Sequence, residues 1–242
     1  MKNIFILLII MQTTTFHLSG QPSSCPNEVY ETSAGKLKIY FIGHSSLLFK
    51  FKGMNIYFDP WSKMADYSKF PKAKMILITH QHADHLDKSA LNQIAEKNTL
   101  IISTKTVAEE LPQAIVMNNG DKKIIEGITI EAVPAYNTTA GRDIYHPKGR
   151  DNGYVLTFGN LKVYIAGDTE DIPEMALLKD IDIAFLPMNQ PYTMFPGQVY
   201  KAALSFHPKI LYPYHYDESG IPELKLLMAN DSNIKLKIFM IK

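Results

Sequence analysis

The chain is a succession of short apolar runs separated by polar punctuation. LKIYFI (37–42), SLLFKF (46–51) and MNIYF (54–58) are β-rich, with the turn KGMN between the last two, and they predict a strand meander. MILIT (75–79) has the unbroken apolar character of a buried strand and runs directly into THQHADHLDK (79–88). DKSALNQIAEKN (87–98) predicts a helix with Asp87 as its N-cap, so the histidine-rich stretch lies on a strand-to-helix loop. TLIIS (99–103), a short helix TVAEEL (106–111) and the strands AIVM, KKII and ITIEAV follow, and then an irregular stretch from Pro134 to Asn152. A loop of that length in a compact domain is uncommon unless it is functional. The second half brings GYVLTF (153–158), LKVYIA (161–166), a helix around PEMALLK, DIAFLP (182–187), a helix from about Gly197 to Phe206, KILYPY (209–214), and a last helix and strand. Strands in both halves with helices interspersed predict a layered α/β domain with mixed sheets.

The N-terminus departs from this pattern. Lys2 precedes an unbroken apolar run from Ile4 to Met11, followed by a polar segment of small residues. The run is too short to span a bilayer but fits a secretory signal peptide cleaved near Ser19, Gly20 and Gln21. A buried first strand is the alternative, but Thr13 to Thr15 and Pro22 to Pro26 break it from the domain. The expected organisation is a signal peptide over 1–20, a linker over 21–36 and one domain over 37–242. The product would be periplasmic or secreted, with no transmembrane helix after signal removal. Cys25 is the sole cysteine, which excludes an intramolecular disulfide and a thiolate metal cage. Its place after a signal-like segment suggests lipid anchoring, but Pro22, Ser23 and Ser24 suit a lipoprotein cleavage site poorly.

Composition narrows the partners. The 242 residues are enough for one sizeable domain with a real core. Lys plus Arg number 25 against 24 Asp plus Glu, and no long basic run offers a footprint for a phosphate backbone, so nucleic acid is not an expected partner.

The chemistry concentrates in THQHADHLDK. In an extended segment His80 and His82, one residue apart, project to the same side and reach one metal ion. As the chain turns towards the helix, Asp84 and His85 point to a second position nearby. Imidazole nitrogen with carboxylate oxygen suits Zn²⁺, Mn, Fe or Ni without choosing among them.

THQHADHLD resembles the metal-binding motif of the metallo-β-lactamase fold superfamily of hydrolases, and further segments match in order over about residues 37–216. IGHSSLLFKF with YFDPW resembles the first strands of the branch that includes L-ascorbate-6-phosphate lactonase and N-acylphosphatidylethanolamine phospholipase D. AGDTED (166–171) resembles the segment whose aspartate, here Asp168, bridges two metals, and FLPMNQPYTM and YPYHY resemble later segments, the last supplying a histidine ligand, here His215. The resemblance implies a four-layer αββα sandwich of two mixed β-sheets with the site at one edge. Taken alone, AGDTED reads first as a strand-end turn and His215 as a satisfied core histidine; their order behind the histidine motif turns both towards metal. His44, in GHSS, is expected near the site as a support to a ligand or substrate, and His207 at the end of a helix. Asp87 would be the helix cap or would fix a histidine tautomer.

One departure stands out. Where the resembling families carry a histidine that completes the first metal's set, this chain has Asn137, in PAYNTTAGRD. Either Asn137 serves as a weaker oxygen ligand, or His146, nine residues on in the long loop, rebuilds the site; contact with substrate and a plain surface position are the alternatives for His146.

The implied cofactors are two divalent ions, Zn²⁺ first. Water or hydroxide between them becomes a nucleophile at neutral pH, attacking an ester, lactone, amide or phosphodiester, with Asp84 orienting it or taking its proton. A small-molecule substrate is expected, with Arg142, Lys148 and Arg150 available for an anionic group. The competing readings are a binding or sensor protein of the same fold with a weakened metal site, motivated by Asn137, and, last, a di-iron redox enzyme.

Overall fold

The structure, a computed structural model, describes residues 22–239; the expected signal peptide lies outside them. The chain lays down two sheets of seven strands each in strict sequence order. The first holds β1 (Asn27–Thr32), β2 (Gly35–Gly43), β3 (Ser46–Phe51), β4 (Met54–Phe58), β5 (Met75–Leu77), β6 (Leu100–Ser103) and β7 (Ile115–Val116). The second holds β8 (Lys122–Ile125), β9 (Ile128–Ala135), β10 (Asp151–Phe158), β11 (Leu161–Ile165), β12 (Ile183–Met188), β13 (Ile210–Tyr216) and β14 (Lys235–Leu236). Each sheet begins with antiparallel pairings, β1 to β4 and β8 to β11, and continues with parallel ones. The parallel strands need crossovers: α1 (Lys88–Ile94), α2 (Lys105–Glu110), α3 (Pro196–Phe206) and α4 (Ile221–Met228) supply four of the six, and 3₁₀ turns at Tyr67–Lys69 and Pro173–Leu177 lie in the β4–β5 and β11–β12 connections.

Burial explains the layering. Between the sheets Phe41, Phe49 and Phe58 of the first meet Phe158, Phe185 and Tyr212 of the second, all buried. Outside the first sheet Ala90, Leu91 and Ile94 of α1 and Val107 of α2 close over Ile76 and Ile101. Outside the second, Val199, Ala203 and Phe206 of α3 and Leu224 of α4 cover Ala184, Leu186 and Leu211. This is the αββα sandwich the sequence predicts. Strands covered on both faces read as continuous apolar runs, as IAFLPM in β12 does, all six positions being buried.

Several elements differ from the sequence reading. Residues 27–32, inside the stretch read as a linker, form β1 and pair with β2 from Asn27↔Tyr40 to Thr32↔Gly35, so the folded body begins before residue 37. Their half-buried, alternating pattern is that of an edge strand, which carries little apolar signal. The PEMALLK helix is only a 3₁₀ turn, Pro173–Leu177. The helix after the histidine loop stops at Ile94, because Thr99 Oγ1 accepts the Glu96 N–H and donates to Ala73 O, pulling that segment out of helical geometry. Ladder pairs Ala135↔Asp151 and Pro134↔Asn152 shorten the long loop to residues 136–150.

The ends of β5, β11 and β13 and the β2–β3 and β9–β10 connections gather at one edge. Contacts between the sheets fasten them there: Tyr154 OH donates to Ile78 O at 2.9 Å, Asn152 N to Thr79 O at 3.1 Å, and His215 N to His44 O at 2.9 Å. Two register irregularities, at Phe41/Gly43 and Pro187/Met188, lie at the same end, where a bulge re-aims the residues that follow.

Candidate metal centre

His80 and His85 are set by one buried carboxylate. Asp59, at the end of β4, accepts the Thr79 N–H on Oδ1 at 2.8 Å, and on Oδ2 the Thr79 hydroxyl at 2.7 Å and His85 Nδ1 at 2.8 Å. An ionised carboxylate only accepts, so Nδ1 of His85 carries the proton and Nε2 is turned to the interior. Thr79 Oγ1, its proton committed to Asp59, accepts from His80 Nδ1 at 3.0 Å, which turns His80 Nε2 inward as well. Burial pushes His80 well below its ordinary pKa, leaving the imidazole neutral as a metal ligand must be. Burial acts the same way on His85 but is outweighed by Asp168 and Asp59, which hold its pKa well up; a divalent cation would stand in place of that proton.

His80, His82 and His146 form one cluster of ligand atoms within 4.8 Å of one another. His80 Nε2 and His82 Nδ1 are 3.0 Å apart, and the ring of His146 lies 4.9 Å from each of the other two. His146 is 1% exposed, and its Nδ1 lies 3.1 Å from Asp151 Oδ2, a carboxylate also gripped by Arg150 at 2.7 and 2.9 Å. That burial rules out a plain surface residue and places His146 with the other two imidazoles. Asn137 fastens the loop that brings His146 in, its Nδ2 donating to Arg142 O and Tyr192 O and its N–H to His146 O, while its buried Oδ1, the atom expected as a ligand, has no hydrogen-bond partner.

A second cluster joins Asp84, His85, His215 and His44. Asp84 Oδ2 lies 3.4 Å from His215 Nε2, 3.6 Å from His85 Nε2 and 2.9 Å from His44 Nε2. Between the clusters sits Asp168, whose Oδ2 is 3.4 Å from His215, 3.5 Å from His85 and from His146, and 4.0 Å from His80. Burial opposes the charge of Asp168, but His215 and His85 hold its carboxyl well below the usual range. Three buried atoms facing this basin, Asp168 Oδ1, His85 Nε2 and His215 Nε2, have no hydrogen-bond partner. Unsatisfied buried groups are costly, and their convergence is what a site for cations requires. The donor set of imidazole and carboxylate fits Zn²⁺, Mn, Fe or Ni, in three-residue groups about a shared aspartate.

The backbone is strained for this purpose. His44, Asp59 and His215 have positive φ (53°, 41° and 45°), a conformation that non-glycine residues sustain only where surrounding structure imposes it. Gly167, beside Asp168, has φ +67°, and a Cβ there would lie 2.7 Å from Asn152 O of the neighbouring strand and 3.2 Å from Thr79 Cβ across from it, so only glycine fits.

At the rim, the ring of Trp61 lies 4.7 Å from that of His44, with Lys63 over its face at 5.1 Å, and Tyr145 meets Tyr192 edge-on at 4.9 Å. Of the cations suggested for an anionic substrate, Arg142 and Arg150 are largely covered and paired with the buried Glu170 and Asp151, whereas Lys148 is exposed and pairs with Glu174 at the surface. Asp87 caps α1, accepting from Ser89 and Ala90, and also holds Ser62; His207 ends α3 in left-handed conformation, away from the basin.

The structure thus gathers His80, His82, Asp84, His85, His146, Asp168 and His215, with His44 beside them. Sequence reasoning missed the supporting roles of Asp59, Thr79 and Asp151. The one available signal was YFDPW, an acidic residue ending a buried strand.

A buried histidine and aspartate basin at the strand ends of two facing mixed sheets defines the metallo-β-lactamase class of fold. Residues 38–215 match the family profile described as the beta-lactamase superfamily domain, and the chain belongs to that superfamily. A UPF0173 metal-dependent hydrolase from Thermococcus kodakarensis is 30% identical over 195 residues, covering 75% of this chain and 85% of that protein. A crystal structure of a candidate metal-dependent hydrolase from Parabacteroides distasonis is 52% identical with a TM-score of 0.87, covering 90% of this chain and all of that one. Igni18, a metallo hydrolase from Ignicoccus hospitalis, shares the fold at 23% identity, with a TM-score of 0.69 over 85% of this chain and 95% of that one.

Proposed function

We propose that the protein is an exported hydrolase that uses two divalent ions, Zn²⁺ first, to cleave an ester, lactone or phosphodiester bond in a small molecule. The observation that carries this reading is the convergence of four imidazole Nε2 atoms on one oxygen of Asp168, with buried unpartnered atoms turned to the same space. Relatives that bear the name metal-dependent hydrolase support the reaction class, and the apolar run from Ile4 to Met11 supports export.

In this reading His80, His82 and His146 hold one ion, Asp84, His85 and His215 the other, and Asp168 lies between them. When bound, such ions lower the pKa of water to near neutrality and polarise a carbonyl or phosphoryl oxygen. The chain supplies the rest. Asp59 and Asp151 fix the histidine tautomers, which sharpens ligand direction and basicity. His44 donates to Asp84 and orients it. Asp84, at 31% exposure the most open carboxylate of the cluster, is placed to take a proton from the attacking group. Trp61, Tyr145 and Tyr192 shape the entrance, and with Arg142 and Arg150 paired inward, Lys63 and the exposed Lys148 are the cations left to recognise charge there.

The alternative of a binding protein with a weakened metal site is motivated by Asn137; a third histidine, His146, beside His80 and His82 favours the hydrolase reading. The test is a panel of aryl esters, lactones and aryl phosphodiesters with zinc-loaded protein and with His82→Ala. Hydrolysis of at least one class, lost in the variant, is the expected result; no hydrolysis across the panel by protein holding two equivalents would overturn the assignment.

A further inference from the structure

The loop that delivers His146 is held by a group that touches none of the ligands. Glu170 lies two residues past Asp168, and its side chain is fully buried. Oε2 accepts the N–H groups of Thr138 and Thr139, both at 2.7 Å, and the Thr138 hydroxyl at 3.0 Å. Oε1 accepts the Thr139 hydroxyl at 2.8 Å and pairs with Arg142 Nη1 at 2.7 Å. Arg142 then donates from Nε to Pro191 O at 2.6 Å and from Nη2 to Thr193 O, while Asn137 ties Arg142 O to Tyr192 O. One carboxylate thus fixes the first part of the loop in every direction and links it to the segment after β12. Five charge-assisted bonds offset the cost of burying it. None of them belongs to the core between the sheets, so its effect falls on the loop.

We propose that Glu170, through Arg142, is a positioning residue for His146, so that metal affinity at the His80/His82/His146 position depends on this pair and affinity at the Asp84/His85/His215 position does not. The inference rests on the two-ion reading above. Asn137 N–H to His146 O, at 2.8 Å, is the direct link between the clamped turn and the ligand.

The experiment is competition for Zn²⁺ between metal-stripped protein and a chromophoric chelator, with wild type, His146→Ala, Glu170→Gln, Arg142→Met and the Glu170→Gln/His146→Ala double variant. The equivalent weakened in His146→Ala defines the first position. Glu170→Gln and Arg142→Met are expected to weaken that equivalent by roughly 10- to 100-fold and leave the other unchanged. The double variant should bind no more weakly than His146→Ala alone. If Glu170→Gln does not fold, Arg142→Met, which leaves the threonine bonds in place, carries the same test. Wild-type affinity at both positions, or equal weakening of both, overturns the proposal. A wild type that takes up no zinc instead overturns the two-ion reading on which it rests.

Discussion

At the scale of single residues, the centre is defined as much by what holds the ligands as by the ligands. Asp59 commits the Nδ1 protons of His85 directly and of His80 through Thr79. Asp59→Asn keeps the size but makes one face a donor, which conflicts with both His85 Nδ1–H and the Thr79 hydroxyl. Zinc affinity should fall about 10- to 100-fold, measured by chelator competition. Asp151→Asn should have an effect of the same size confined to the position that includes His146, since Asp151 touches that histidine and none of the other ligands. Of these residues the sequence pointed to the histidines and aspartates of the basin and not to the groups that hold them. HxHxDH is a local pattern whose spacing alone brings side chains together, whereas Asp59 and His85 are 26 positions apart and meet only through strand pairing. His146 stood out because a histidine was missing at 137. Its burial beside Asp151 has no sequence signal.

At the scale of elements, strands were legible and short helices less so. β2, β3 and β4 are nearly continuous in apolar character and were located to within two residues. β1 was missed because an edge strand buries one face only partly, and PEMALLK was overread because a Pro-initiated 3₁₀ turn and the start of a helix share the same residues. The β9–β10 loop was recognised as functional from length alone, but its internal clamp at Glu170 was not visible. Gly167, next to Asp168, is closely enclosed: Ala there would bring a Cβ to 2.7 Å from Asn152 O and 3.2 Å from Thr79 Cβ at φ +67°. Gly167→Ala should destabilise the protein by about 1–3 kcal/mol and weaken zinc binding, because the shift it forces is at Thr79 and Asp168. Urea unfolding and zinc titration together check this; a stable variant with wild-type affinity would show that the approach is not restrictive.

At the scale of the whole molecule, two halves with the same order, antiparallel strands then parallel ones, face each other across an aromatic core and share the centre at one edge. Neither half contains a complete site: His80, His82, Asp84 and His85 come from the first, and His146, Asp168 and His215 from the second. Phe49 lies at the middle of the core, with Phe58, Phe158 and Phe185 at 4.8, 6.1 and 6.2 Å. Phe49→Ala should cost about 3–5 kcal/mol in unfolding by denaturant, while folded protein at low temperature keeps its metal stoichiometry, because the cavity is remote from the ligands. The overall class was readable because the motif segments occur in the right order; the shared two-halved construction emerges only from pairing.

The most direct test of the account is a single curve: hydrolysis of the best substrate in the panel against Zn²⁺ added to metal-stripped protein, with metal per chain read by elemental analysis at each point. The account predicts negligible activity without metal and a plateau at two equivalents per chain. Full activity in the metal-free protein, or a plateau at one equivalent with no second ion taken up, would contradict it.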